Sequence, residues 1–197
     1  MSESVDVKFF FNFRSPYCYI VSKLLPSIFD EYDVNLVWRP LGGWGGRSPP
    51  ERAKVKIPLV RQDMARITRK MGIPMNPPPP ATEPTKAAAG SLLAEEKGVL
   101  RRYIVAMMTA EWAQGQDIGE ESVILGVGET LGLDRSELAV ALNAPERLNQ
   151  LSQFGDEAKL LGVIGVPAFV VGEEIFWGSD RVEYLREHLR ELRLSVY

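Results

Sequence analysis

Near the start of the chain, Phe9-Phe10-Phe11-Asn12-Phe13 runs into Arg14-Ser15-Pro16-Tyr17-Cys18-Tyr19, an apolar strand that turns at once into a helix. Ser15 has the chemistry of an N-cap, and Pro16 suits the first helical position, where no backbone N–H is needed. A hydroxyl at that junction sits beside unpaired N–H groups and the positive end of the helix dipole. Such a place suits an anion, including a thiolate. Cys18 falls one turn further in, where burial as a small apolar side chain is the ordinary outcome. It is the only cysteine, and a dithiol exchange cycle needs two sulfurs, so Cys18 reads as structural.

Two later stretches carry further candidates. In Gly162-Val163-Ile164-Gly165-Val166-Pro167-Ala168-Phe169, Pro167 stands just before a predicted strand, where a proline is tolerated. In Phe176-Trp177-Gly178-Ser179-Asp180-Arg181, Ser179 or Asp180 can cap the last helix. The lone His188 lies in the charged helix Arg181-Val182-Glu183-Tyr184-Leu185-Arg186-Glu187-His188 and reads as solvated rather than catalytic.

Bulk properties narrow the function classes. With 197 residues, 45% hydrophobic and 25% charged, the chain reads as an ordinary globular protein. A net charge of -3 gives no reason to expect nucleic acid or an anionic membrane as partner. No apolar run is long enough for a bilayer, and the opening MSESVDVK lacks the basic start and apolar core of a secretory signal. One cysteine and one histidine argue against a Cys/His zinc site. The expectation is a cytoplasmic, metal-independent protein.

The elements that must position these residues follow from periodicity and breakers. A strand over 5–12 leads into a helix over 15–31, with Tyr17, Ile20, Val21, Leu24, Leu25 and Ile28 on one face and a kink at Pro26. A second strand over 34–39 completes a β-α-β unit. The glycine-rich loop around Trp44 and Arg47 follows. A helix over 51–71 ends at Gly72 and Pro74, and the prolines of 76–80 form an extended connector. Val99, Leu100, Tyr103, Ile104, Met107, Met108 and Trp112 make a helical stripe that reads as core, not as a cofactor site. Shorter helices are expected over 120–131, 134–142 and 145–161. A hairpin over 167–171 and 174–177 precedes a final amphipathic helix that opens at Asp180, with Val182, Leu185, Leu189 and Leu192 on one side. The order is that of an α/β thioredoxin-like fold with a large α-helical insertion. The division is 1–45 and 162–197 for the thioredoxin-like domain and 46–161 for the inserted helices.

Taken together, the blocks 11–19, 162–169 and 176–181 resemble the signature of 2-hydroxychromene-2-carboxylate isomerases. The kappa-class glutathione transferases share that pattern within the DsbA-like thioredoxin superfamily. The resemblance implies glutathione as cofactor. Ser15 stands where the family's serine hydrogen-bonds the glutathione sulfur. Val166 and Pro167 stand where a residue before a cis proline pairs with the glutathione backbone. Ser179 and Asp180 would meet its γ-glutamyl end, and Lys56, which follows Pro49-Pro50, its other end. Arg47 takes the place of an asparagine used by some relatives. Arg14 and Arg39 could attract an acidic substrate, and Tyr17, Trp44, Met64 and Met75 could line the substrate side.

The activity so implied is conversion of 2-hydroxychromene-2-carboxylate to trans-o-hydroxybenzylidenepyruvate, a small aromatic substrate of hydrocarbon breakdown. A kappa-like glutathione transferase or peroxidase is the alternative, and a noncatalytic glutathione- or peptide-binding protein the third. The relatives are commonly homodimers.

Overall fold

The structure is a computed structural model that describes residues 4–43 and 50–192. Strand β1 (Val5–Phe11) pairs in parallel with β2 (Val34–Pro40), Val5 opposite Val34 and Phe11 opposite Pro40. Between them lie α1 (Pro16–Ser22) and α2 (Leu25–Phe29). Helices α3 (Pro50–Met71), α4 (Thr85–Glu96), α5 (Leu100–Trp112), α6 (Glu121–Thr130), α7 (Arg135–Asn143) and α8 (Pro145–Leu160) follow. The chain then returns to the sheet as β3 (Ala168–Val171) and β4 (Glu174–Trp177), and closes with a 3-10 turn (Ser179–Arg181) and α9 (Val182–Glu191). Strand β3 runs antiparallel to β1 and β4 antiparallel to β3, giving the order β2-β1-β3-β4. This is the expected thioredoxin-like fold with a helical insertion.

The period-2 alternation of β1 divides its phenylalanines between two cores. Phe9 and Phe11 enter the main core, where Phe9 stacks on Phe169 with ring centroids 4.6 Å apart. Phe10 points the other way and packs with Leu41, Ala158, Ala168 and Val170. On that second face, Glu157 of α8 accepts from Lys8 Nζ at 2.7 Å and from Arg39 Nε, while the Arg39 guanidinium lies over the Phe154 ring. Burial alone would raise the Glu157 carboxyl, but the bonds from Lys8 and Arg39 hold it below its ordinary value. Arg39 therefore ties β2 to α8, a fastening that its proposed role as a substrate attractor does not explain.

Five expectations change. Neither Ser179 nor Asp180 caps the last helix, which begins at Val182 after a 3-10 turn, with no side-chain cap at Arg181. The helix over 15–31 is two helices: α1 stops at Ser22, and Pro26 falls in the first turn of α2, where its missing N–H costs nothing. Leu192 lies past the end of α9 and is 42% exposed. His188 is half-buried, its ring 5.5 Å from that of Phe176. Helix α4 has no counterpart among the expected helices. Among the described residues, no helix is long and apolar enough to cross a membrane.

Candidate active site

The turn between β1 and α1 is built around Asn12, a buried amide between phenylalanines. Its Nδ2 donates to Leu41 O at 2.8 Å and to Gly43 O at 3.3 Å, and its Oδ1 accepts from Arg14 N at 2.8 Å. Ser15 N donates to Asn12 O at 3.1 Å and closes the turn. From the insertion, the Trp112 indole N–H donates to Phe13 O at 2.8 Å. The backbone before Ser15 is thus fixed from both the sheet and α5.

Ser15 has extended backbone dihedrals, and its Oγ accepts from Cys18 N at 3.3 Å, so it caps α1. The same hydroxyl reaches across to Val166, donating to its carbonyl oxygen at 3.4 Å. Because α1 has only seven residues, its dipole is smaller than that of a helix running to residue 31. The hydroxyl itself carries most of the chemistry at this point. Beneath it, Cys18 is fully buried. Burial pushes its thiol up to about 12, against smaller lowering contributions from Asn12 and Ser15. A thiol in that state is a poor nucleophile.

The Val166–Pro167 bond is cis. Pro167 O accepts from Gly178 N at 2.9 Å, which joins this loop to the segment before α9. Gly178 has φ +114, and a Cβ there would fall 2.5 Å from Asp180 Oδ1. Glycine is what allows the chain to swing Asp180 against its own backbone. The Asp180 carboxylate is exposed and accepts from Arg181 at 2.8 Å, and Ser179 is half-buried. Gly165 has a comparable reason to be glycine: its Cβ would meet the Trp177 indole at 2.8 Å. Ser15, Val166, Pro167, Ser179 and Asp180 are thereby brought to one place, since α1 also packs against the 3-10 turn.

Tyr17 stands beside them. Its hydroxyl donates to Asp63 Oδ2 of α3 at 3.1 Å. Burial, that bond and the charges of Asp63 and Asp180 push the phenol up to about 12, so it stays protonated. Lys56 lies on the exposed first half of α3.

Other candidates fall elsewhere. Arg14 pairs with Glu111 of α5 at 3.3 Å, donates to Pro80 O at 3.3 Å and lies over the Trp112 ring. With its side chain 10% exposed, it anchors the turn to the insertion. Met64 is buried in the main core, which removes it from the substrate lining, and Met75 is half-buried against that core. Trp44 and Arg47 lie outside the described residues. Sequence reasoning missed Asn12, Asp63 and Glu111. A polar residue inside the Phe9–Phe13 run was the one available signal, for Asn12.

A family model described as a DSBA-like thioredoxin domain matches residues 6–190. A 2-hydroxychromene-2-carboxylate isomerase of Sphingobium xenophagum is 27% identical over 197 residues, covering 96% of this chain and 99% of its own. Human glutathione S-transferase kappa 1 is 26% identical over 206 residues, covering 94% of this chain and 91% of its own. Among solved structures, a 2-hydroxychromene-2-carboxylate isomerase superposes with a TM-score of 0.83 at 25% identity, over 95% of this chain and 96% of that one.

Proposed function

The chain belongs to the DSBA-like thioredoxin domain family, and from that premise we propose that it is a glutathione-dependent isomerase of 2-hydroxychromene-2-carboxylate or a close analogue, yielding trans-o-hydroxybenzylidenepyruvate. The observation that carries the reading is the Ser15 hydroxyl, held between Cys18 N–H and the Val166 carbonyl at the mouth of the turn. The full-length similarity to isomerases supports it.

The residues present fit glutathione chemically. Gly178 leaves room for an exposed carboxylate at Asp180, the counterpart of an ammonium group, and Lys56 is a counterpart for a carboxylate. Ser15 is a neutral donor for sulfur, and Val166 offers backbone to an extended peptide. When bound, glutathione supplies a thiol nucleophile of the kind that lets a conjugated C=C bond rotate. The chain's own part is positioning and charge. The Ser15 hydroxyl can turn from Val166 O to donate to a sulfur anion, lowering a thiol pKa that is ordinarily about 8.5. Tyr17, protonated throughout the neutral range, gives its O–H to Asp63 at the edge of the site. As part of the same reading the protein works as a cytoplasmic homodimer, an assembly that sedimentation would reveal.

Replacing Ser15 with Ala removes the donor and is expected to lower glutathione-dependent kcat/KM by about 100-fold, as for loss of one preorganised donor. Full activity in that variant would refute the assignment. Kinship with the human kappa transferase favours a second reading, conjugation of glutathione to an electrophile. Net loss of free glutathione during turnover selects the transferase, and its conservation the isomerase. Saturable glutathione binding without turnover would leave only a binding protein.

A further inference from the structure

The first half of α3 is poorly held. Residues 54–59 are exposed, including Val55 and Leu59, and the next residues inward, Val60 and Met64, are the first to meet the core. Pro58 lies inside the helix and cannot donate to the carbonyl of Lys54, which removes one rung from the early turns. The helix packs chiefly against α1. At that contact Tyr17, two residues beyond Ser15, donates its hydroxyl to Asp63, whose other oxygen accepts from Arg66 at 3.1 Å.

Lys56 and Asp63 are seven residues apart. At 3.6 residues per turn they lie within about 20° of each other around the axis and about 10.5 Å apart along it. The bond at Asp63 therefore bears on the direction in which Lys56 leaves the helix, two turns away across the rung missing at Pro58. Tyr17 thus links the turn that holds Ser15 to the helix face that carries Lys56.

We propose that Tyr17 and Asp63 are a positioning pair that holds the Lys56 face of α3 toward the Ser15 site, where Lys56 meets the glycyl carboxylate of glutathione. This rests on the glutathione reading above. The pair touches no reacting atom, and its effect is confined to the end of the ligand that Lys56 recognises.

The test is calorimetric titration of the full-length protein with glutathione and with its glycyl ethyl ester, alongside amide hydrogen exchange over residues 50–63 without ligand. Tyr17→Phe keeps the ring and removes the donor. Tyr17→Phe and Asp63→Ala should each weaken glutathione about 3- to 10-fold, the worth of one hydrogen bond. Affinity for the ester should change less than about twofold, and exchange over 50–63 should quicken. Added to Lys56→Ala, Tyr17→Phe should cost nothing more. Equal weakening of both ligands, or unchanged glutathione binding, overturns the pair. Wild-type protein that binds neither ligand sinks the glutathione reading instead. The pair is then decided by exchange alone, faster rates in Tyr17→Phe supporting it and unchanged rates overturning it.

Discussion

Ser15 and Lys56 are assigned to the two ends of the proposed glutathione site, and their supports differ in kind. Around Ser15, the Asn12 carbonyl, the Cys18 N–H and the Val166 carbonyl each engage the residue directly, and Trp112 fastens the backbone two residues before it. Around Lys56 the helix is exposed from 54 to 59, and among the described residues its nearest polar tie to the rest of the chain is the Tyr17 phenol at Asp63. The first side is preorganised before any ligand arrives, the condition under which one donor is worth most to a reaction. The second can adapt to a ligand, and so suits binding and selectivity more than chemistry.

The sharpest way to break this contrast is to cut one support on the rigid side. Arg14→Met keeps much of the side chain's length but removes the guanidinium that lies over Trp112 and pairs with the fully buried Glu111 carboxylate. Breaking a buried pair from one side typically costs about 3–5 kcal/mol. Urea unfolding should show that loss, whereas Lys56→Ala should change stability by less than about 0.5 kcal/mol. Similar midpoints for the two variants would erase the distinction between the sides.

The same contrast explains what the sequence disclosed. Ser15, Val166–Pro167 and Ser179–Asp180 drew attention because each lies in a short block with a local signal (a cap before a proline, a strand start, the residues before a helix) and because the three blocks resemble one family together. Their supports drew none. Trp112 reaches Phe13 across 99 positions, Arg14 reaches Glu111 across 97 and Tyr17 reaches Asp63 across 46, and no local pattern marks such pairings. Helix α4 escaped for another reason. Residues Ala87 to Ala94 are buried on all sides, so the segment lacks the polar face by which amphipathic helices are found. The Pro26 signal was real but misjudged in kind, marking the start of a second helix rather than a kink in one.

A smaller cut on the rigid side is Gly178→Ala. The residue must hold φ +114 and would drive a methyl group to 2.5 Å from Asp180 Oδ1. Strain of this kind costs about 1–3 kcal/mol. The displaced carboxylate should also weaken glutathione binding, and glutathione and its glycyl ester should suffer alike, because Asp180 is assigned to the opposite end of the ligand. Calorimetry that shows the ester spared would move Asp180 to the adaptable side.

The finest probe of the rigid side is Cys18, which lies directly under Ser15. In the unfolded chain its thiol ionises at about 8.5, while in the folded chain burial holds it protonated to about 12. Its folded value is raised, so the stability it contributes is fully present below about pH 8.5 and is lost as pH rises toward 12. The slope is about 1.4 kcal/mol per pH unit, since the unfolded state releases a proton that the folded state retains. Tyr17 and Tyr103, also held protonated by burial, add their own slopes at higher pH. The difference between wild type and Cys18→Ala removes those contributions, and it removes any fixed cost of the smaller side chain. Between pH 8 and pH 10 the unfolding free energy of wild type should therefore fall by about 2 kcal/mol relative to that of Cys18→Ala. A constant gap across that range would mean that water reaches the thiol, and that the floor beneath Ser15 is looser than the turn above it.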